Sequence, residues 1–323
     1  MIVKAEILWT RKCPLSCHYC NMATGLSNSR SLDFWKRGLH NLKKLNCSFI
    51  AIYGAEPLAD FSKLPGFIAY ARRLDIDLTL ITSGCVPGAK EKLEQLYKVG
   101  LRSLTTSYDI IDLDLSSAAK SNKAIHLLNH FKKLGPVDNL AVVVTLTRKN
   151  YKHVYETAVE MTRQGIWLFF DIIHPDRGQL GSKAKGRDES LLFQKQDIPE
   201  LVIELNRLKN AKSYLKIHAS KQFFDLLIHN PDFLLDYNWN CAEHSCFPSW
   251  VTIDCDGLVY PCDDFQPKGL PISLDHLYEN WQSFHMYWKN TIQTSCPGCV
   301  WNTHIDAHYI KQGLVNISEY VHK

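Results

Sequence analysis

Runs of β-prone and apolar residues alternate with helical patterns through the first half of the chain. The β-prone runs predict strands over 3–9, 49–54, 77–84, 101–109, 139–146 and 166–173. Apolar residues at three- and four-residue spacing predict helices over 31–46, 61–74, 88–99, 117–134 and 151–164. Strand–helix units repeated in this way predict an α/β fold, in which helices cover a parallel sheet.

The pattern changes after the last of these strands. Residues 174–189 are rich in glycine and charge and indicate a connecting loop. From 239 onward Cys, Trp, Pro and Asp dominate, and Asp256-Gly257 predicts a hairpin turn between two short β-prone runs. Further helices are expected over 197–210, 220–236 and 275–290, and from about 305. We therefore predict two domains, 1–235 and 236–323.

Composition narrows the functional classes. With 46% hydrophobic and 22% charged residues, the 323-residue chain is that of a folded globular protein. Its net charge, 37 − 33 = +4, is too small and scattered to indicate nucleic-acid binding. No run approaches the roughly 20 apolar residues of a membrane helix, and the N-terminus lacks the features of a signal peptide. We expect a cytoplasmic protein with no nucleic-acid or membrane partner.

The chain has eleven cysteines, and nine of them fall into two groups. Three lie near the N-terminus and six near the C-terminus. Disulfides are disfavoured in the cytoplasm, so this grouping predicts two metal or iron–sulfur sites.

The N-terminal group, Cys13, Cys17 and Cys20, directly follows the first predicted strand. Three thiolates on one loop are able to hold three corners of a [4Fe-4S] cluster and leave the fourth iron open to a small chelating molecule. Zinc is the alternative, but it normally takes four ligands. No nearby cysteine or histidine supplies an obvious fourth.

This loop, with the aromatic Tyr19 before its last cysteine, resembles the C-x3-C-x-aromatic-C loop of the radical S-adenosylmethionine (SAM) enzymes. The second strand ends in Gly54-Ala55-Glu56-Pro57, which is similar to the family's Gly-Gly-Glu-Pro turn with one Gly replaced by Ala. The resemblance implies that this turn meets the methionine amino group of SAM. Further cofactor contacts are implied for Ser83, Ser107 and Asp109, at the ends of later strands. It also implies a partial (β/α)6 TIM-like barrel.

In the C-terminal group, the hairpin brings Cys246 and Cys262 near each other, and the arm Cys296-x2-Cys299 completes four thiolates. This pattern resembles the SPASM/twitch extension of radical SAM enzymes, in its shorter form with one auxiliary [4Fe-4S] cluster. Cys241 in place of Cys246, or a structural zinc ribbon, are the alternatives. We expect Cys47, Cys85 and Cys255 to be buried small side chains.

The family resemblance implies reductive cleavage of SAM to a 5′-deoxyadenosyl radical, which abstracts a hydrogen atom from a substrate C–H bond. We expect a net oxidation of a small metabolite, assisted by the auxiliary cluster, with flavodoxin or ferredoxin as electron donor. The alternatives are a maturase that modifies a ribosomal peptide or protein, and a zinc-stabilised binding protein. A general base is not assigned, and its candidates are Asp171, His174, Asp263, Asp264 and His304.

Overall fold

The computed structural model describes residues 2, 4–17, 19–20, 22–110, 115–175, 188–240, 250–262, 272–296 and 298–316. Within them, ten strands form one sheet in the order β10-β9-β8-β1-β2-β3-β4-β5-β6-β7. The strands are β1 Lys4–Leu8, β2 Phe49–Tyr53, β3 Asp77–Thr82, β4 Ser103–Ser107, β5 Asn139–Leu146, β6 Trp167–Ile172, β7 Ile217–His218, β8 Trp250–Ile253, β9 Leu258–Tyr260 and β10 Ile272–Ser273. Strands β1 to β7 are parallel.

The helices follow the predicted alternation. They are α1 Leu32–Lys44, α2 Leu64–Arg73, α3 Ala89–Lys98, α4 Leu115–Lys132, α5 Val154–Arg163, α6 Ile198–Ala211, α7 Lys221–His229, α8 Phe233–Asp236, α9 Trp281–Ser295 and α10 Asn302–Lys311. No helix among the described residues has the length and apolar content that crossing a membrane requires.

One face of the sheet packs against the outer helices. At the end of β1, Trp9 lies 5.3 Å, between ring centroids, from both Trp35 of α1 and Phe67 of α2. At the far side Phe170 of β6 lies 6.2 Å from Phe223 of α7. Burial of these apolar side chains is the main stabilising contribution to the layer. The opposite face of the sheet is the concave interior of the barrel.

The C-terminal hairpin lies against the barrel sheet. Strand β8 pairs in parallel with β1, so the hairpin extends the barrel sheet. Its turn also contacts the segment before α1, where Arg30 Nε donates to the Asp256 carbonyl at 2.6 Å and Ser29 donates to the Asp256 carboxylate at 3.1 Å. The division into two domains stays a prediction. The short strands β7 and β10 were not predicted.

Helix α10 bridges the two sides of the open sheet. At one side Asn302 Nδ2 donates to the carbonyls of Phe170 in β6 and His218 in β7, at 3.2 and 3.0 Å. At the other side the His304 ring lies 5.6 Å from that of Trp250 in β8. The Asn302 side chain is fully buried. The helix therefore contacts β7, at one edge of the sheet, and β8, near the other edge.

Candidate functional site

The three N-terminal cysteines lie on a loop that leaves the carboxyl end of β1. Its two ends are held together, because Arg11 N donates to the Leu26 carbonyl at 2.8 Å and Gly25 N donates back to the Arg11 carbonyl at 2.9 Å. Cys13, Cys17 and Cys20 are all partly buried. The closed loop thus carries three partly accessible thiols at the edge of the sheet where α/β folds place their sites.

The electrostatics of these thiols fit a cluster of cationic irons. Burial raises the pKa of Cys13 to about 12, and Glu56, Cys20 and Cys17 act in the same direction. Such a thiol stays protonated unless a metal draws off its proton, which coordination does. Among the described residues no three His, Cys, Asp or Glu side chains are close enough to share one metal ion. Thiolates on separate irons of a cluster stand farther apart than ligands of a single ion.

The turn after β2 packs directly against the stem of the cysteine loop. Ala55 N donates to the Thr10 carbonyl at 3.0 Å, and Trp9 N donates to the Tyr53 carbonyl at 2.7 Å. Gly54 has φ +142°, and a Cβ there would lie 2.7 Å from the Thr10 carbonyl oxygen. Only glycine fits this close approach. The Ala that replaces the second glycine of the family pattern is accommodated at position 55.

The Glu56 carboxylate ties the end of β2 to the end of β3. Its Oε1 accepts from Leu58 N at 3.0 Å and from the Thr82 hydroxyl at 2.5 Å. Its Oε2 accepts from the backbone of Ser83 at 2.9 Å, from the backbone of Gly84 at 3.1 Å, and from the Ser83 hydroxyl. Glu56 has no exposed surface. Protein donors therefore occupy both oxygens, which leaves backbone groups of the turn to meet a ligand.

The cofactor residues expected on later strands have different surroundings. Ser83 is buried, and its hydroxyl donates to Glu56. Ser107 is partly exposed at the end of β4. Asp109 is buried and lies beside Tyr19 of the cysteine loop, whose hydroxyl donates to Asp109 Oδ1 at 2.6 Å. The structure therefore brings Tyr19 and Asp109 together.

Lys120 of α4 completes this contact. Its ammonium lies 2.6 Å from Asp109 Oδ2, and both side chains are at most 4% exposed. The ammonium also donates to the Tyr19 hydroxyl. Lys120 was not predicted as a site residue. Its only distinguishing feature in the sequence is that it is a lysine among the small and apolar residues of a predicted helix.

The concave face of the sheet is partly open at its carboxyl half. Ile81, Val143 and Phe169 are partly exposed although they lie in central strands, whereas their neighbours on the helix-covered face are buried. Ser107, Thr145 and Asp171 add polar groups to the same face. The carboxyl half of this face thus presents both apolar and polar side chains.

The C-terminal cysteines are partly described. Cys246 and Cys241 lie outside the described residues. Cys262 follows β9, and Cys296 follows α9. Cys299 is held by its backbone N–H, which donates to the Trp239 carbonyl at 2.8 Å. Gly298 has φ +84°, and a Cβ there would lie 2.6 Å from the Asn238 backbone.

Some of the candidate bases also lie outside the described residues, and others lie within them. Asp263 and Asp264 lie outside the described residues. His174 is buried after β6, where its Nε2 accepts from Val300 N at 2.9 Å and its ring stacks on Trp301 at 4.2 Å. His304 is buried in α10, and desolvation lowers its pKa to about 4. His174 thereby anchors the segment that follows Cys299.

The cysteines outside the two groups follow the prediction with one exception. Cys47 and Cys255 are 1% and 2% exposed, which confirms that they are buried. The prediction was wrong for Cys85, which is partly exposed. It follows Gly84 at the carboxyl end of β3, where the chain leaves the sheet and packs less tightly.

Comparisons with known proteins agree with this geometry. Residues 7–160 match the family model described as the radical SAM superfamily. Curated relatives include the PqqA peptide cyclase of Xanthomonas oryzae pv. oryzae, 33% identical over 106 residues, which are 32% of this chain and 28% of that protein. The PqqA peptide cyclase of Gluconobacter oxydans is 34% identical over 111 residues, which are 33% of this chain and 30% of that protein. Each match spans less than a third of the relative's length.

Solved structures extend the likeness over nearly the whole chain. Streptococcus suis SuiB bound to precursor peptide SuiA has a TM-score of 0.65 at 16% identity, covering 91% of this chain and 67% of that one. Native anSMEcpe with bound AdoMet and Cp18Cys peptide has a TM-score of 0.58 at 13% identity, covering 99% and 100%. At such identities the likeness concerns the fold, and it confirms the partial TIM-like barrel.

Proposed function

We propose that the chain, whose residues 7–160 match the radical SAM superfamily model, is an enzyme of that superfamily that modifies a peptide. The observation that carries the proposal is the closed loop at the end of β1, which holds Cys13, Cys17 and Cys20 next to the turn Gly54–Pro57. These three thiolates would hold a [4Fe-4S] cluster with one iron left open for SAM, and that group, once reduced by one electron from a donor, would supply radical abstraction of a hydrogen atom from a substrate C–H bond.

In this proposal the residues of the chain position SAM. Glu56 fixes the turn against β3, and the backbone of Gly54 and Ala55 meets the methionine amino group. Ser107, partly exposed at the end of β4, would contribute its hydroxyl to the same site. Helix α10 packs against β6 and β7 at one side of the barrel and there helps to exclude bulk water from the interior.

A peptide substrate is better supported than the small metabolite expected from the sequence. The PqqA peptide cyclases match by sequence, and two structures of the same fold hold peptides. The partly exposed face of the sheet, with apolar Phe169 beside polar Thr145 and Asp171, offers the mixed contacts that an amino-acid side chain needs. Oxidation of a small metabolite is the second candidate.

We further propose one auxiliary [4Fe-4S] cluster on Cys246, Cys262, Cys296 and Cys299. Four protein thiolates leave no open iron, so the auxiliary cluster carries electrons rather than binding substrate. The backbone bond from Cys299 to Trp239 and the contact of Val300 with His174 support this role, because they hold the arm against the barrel. Flavodoxin or ferredoxin is the proposed electron donor.

The test begins with anaerobic reconstitution of the protein with iron and sulfide, followed by a count of the irons per chain. The reconstituted protein is then reduced, incubated with SAM and assayed for 5′-deoxyadenosine. About eight irons per chain are expected in the wild type. A Cys13/Cys17/Cys20→Ala triple variant should retain about four irons and lose SAM cleavage. Cys85→Ala is the matched control and should keep the full iron content. Full clusters without SAM cleavage would refute the proposal.

The substrate class needs a second assay. The reduced enzyme is offered a random library of short peptides and, separately, a mixture of sugars, alcohols and amino acids. Mass spectrometry then follows hydrogen loss alongside 5′-deoxyadenosine release. Hydrogen loss from peptides supports the proposal. Turnover confined to the small molecules would establish the second candidate instead.

A further inference from the structure

The partly buried Tyr19 of the cysteine loop and two buried charged side chains from other parts of the chain form a closed network. Tyr19 lies between Cys17 and Cys20, Asp109 follows β4, and Lys120 lies in α4. The Tyr19 hydroxyl donates to Asp109 Oδ1 at 2.6 Å, and the Lys120 ammonium lies 2.6 Å from Oδ2. Lys120 also donates to the Tyr19 hydroxyl, and its ammonium lies 4.6 Å from the centre of the Tyr19 ring.

A second contact fixes the network in place. Ser121, next to Lys120 in α4, donates through its hydroxyl to the Asp109 carbonyl at 2.9 Å and accepts from Asp109 N at 3.2 Å. The second turn of α4 is therefore fastened to the end of β4 through both backbone and side chain. The Tyr19 hydroxyl then joins the cysteine loop to this rigid element.

We propose that Lys120 and Asp109 are positioning residues, which hold the cysteine loop through Tyr19 and set the local charge that the iron–sulfur cluster experiences. The proposal rests on the proposed function, because it requires a cluster on Cys13, Cys17 and Cys20.

The physical reason is the burial of the ion pair. Lys120 and Asp109 are each 3% exposed, so water screens their charges only weakly. The Tyr19 hydroxyl contacts both charged groups, and Tyr19 lies between Cys17 and Cys20 along the chain, which places the ion pair beside two of the cluster ligands. The net charge around a cluster is one of the main determinants of its reduction potential.

Removing the negative charge and removing the positive charge should shift the reduction potential of the cluster in opposite directions. Asp109→Asn is close in shape and leaves the ammonium in place, so it should raise the potential of the cluster. Lys120→Met leaves the carboxylate and should lower it. The Lys120→Met/Asp109→Asn double variant removes both charges and should lie between the two single variants. Lys120→Arg keeps the positive charge and should stay near the wild type.

The experiment is a redox titration of the reconstituted proteins, followed by electron paramagnetic resonance without substrate. Each variant also carries Ala at Cys262, Cys296 and Cys299, so that the N-terminal cluster is observed by itself. A higher potential in Asp109→Asn than in Lys120→Met, with the double variant between, supports the proposal. Equal potentials, or the reverse order, would overturn it, because a loss of packing alone does not depend on the sign of the charge.

The positioning role has its own readout. Tyr19→Phe keeps the ring and both charges but removes the hydroxyl that joins the loop to α4. An iron chelator should remove its cluster faster than the wild-type cluster. An unchanged rate would contradict the proposal that the Tyr19 hydroxyl holds the loop to α4. If the wild-type protein binds no cluster at all, the proposed function fails. If it binds one and the variants match the wild type, only the inference fails.

Discussion

Replacing Glu56 by Gln tests whether the carboxylate after β2 is a structural clamp. The change keeps the shape of the side chain but turns one acceptor oxygen into an amide donor. The five donors around it include three backbone N–H groups, from Leu58, Ser83 and Gly84. The hydroxyls of Thr82 and Ser83 are able to rotate and accept instead. A backbone N–H has no such freedom.

The magnitude follows from this arrangement. The amide places its nitrogen on the side of Leu58, because that orientation leaves one backbone N–H unpaired rather than two. An unpaired buried donor costs about 1–3 kcal/mol, and the remaining bonds lose the strength that a charged acceptor gives. Because of these two effects, the free energy of unfolding of the Glu56→Gln variant should fall by about 2–4 kcal/mol.

The assay is urea unfolding of the protein without metal or SAM. Glu94→Gln is the control, because Glu94 is a partly exposed carboxylate paired with His130 and should change the free energy of unfolding by at most about 0.5 kcal/mol. A residue that only contacts SAM would leave the stability of the ligand-free protein unchanged. A Glu56→Gln variant as stable as the wild type would therefore refute the clamp.

Three further predictions concern other positions. Gly54→Ala places a Cβ against the Thr10 carbonyl and should cost about 1–3 kcal/mol in urea unfolding. A Gly54→Ala variant as stable as the wild type would contradict the close approach of position 54 to the Thr10 carbonyl. His304 has a folded pKa of about 4 against an ordinary value of 6.5, so only the unfolded chain takes up its proton between these values. Stability is therefore full above pH 6.5 and falls by about 3 kcal/mol toward pH 4. His304→Gln should flatten that part of the profile, and an unchanged slope would exclude His304 as its source. Gly298→Ala forces the arm off the Asn238 backbone and should reduce the iron count to about four per chain. Full iron content would contradict this expectation.

Local patterns predicted most of the barrel because each strand and helix has its own periodicity. Strands β1 to β6 lie within a few residues of their predicted ranges. The parallel pairing of β8 with β1 was not predictable in this way. The hairpin signal at Asp256-Gly257 fixes only the antiparallel partner, and nothing local identifies a third strand from the other end of the chain.

The site shows the same division between local and long-range information. The cysteine spacing and the turn Gly54–Pro57 are contiguous, so a single sequence reveals them. The contact of Tyr19 with Asp109 and Lys120 joins positions about a hundred residues apart. The environment of Glu56 also depends on the end of β3. Their roles were therefore visible only after the strands were placed side by side.

The bridge that α10 makes has a consequence for biosynthesis. The helix contacts β6 and β7 through Asn302 and β8 through His304. The strands of the parallel sheet are synthesised before residues 302–311 leave the ribosome. The contacts that join the two sides of the sheet through α10 therefore form only after the parallel strands have been made.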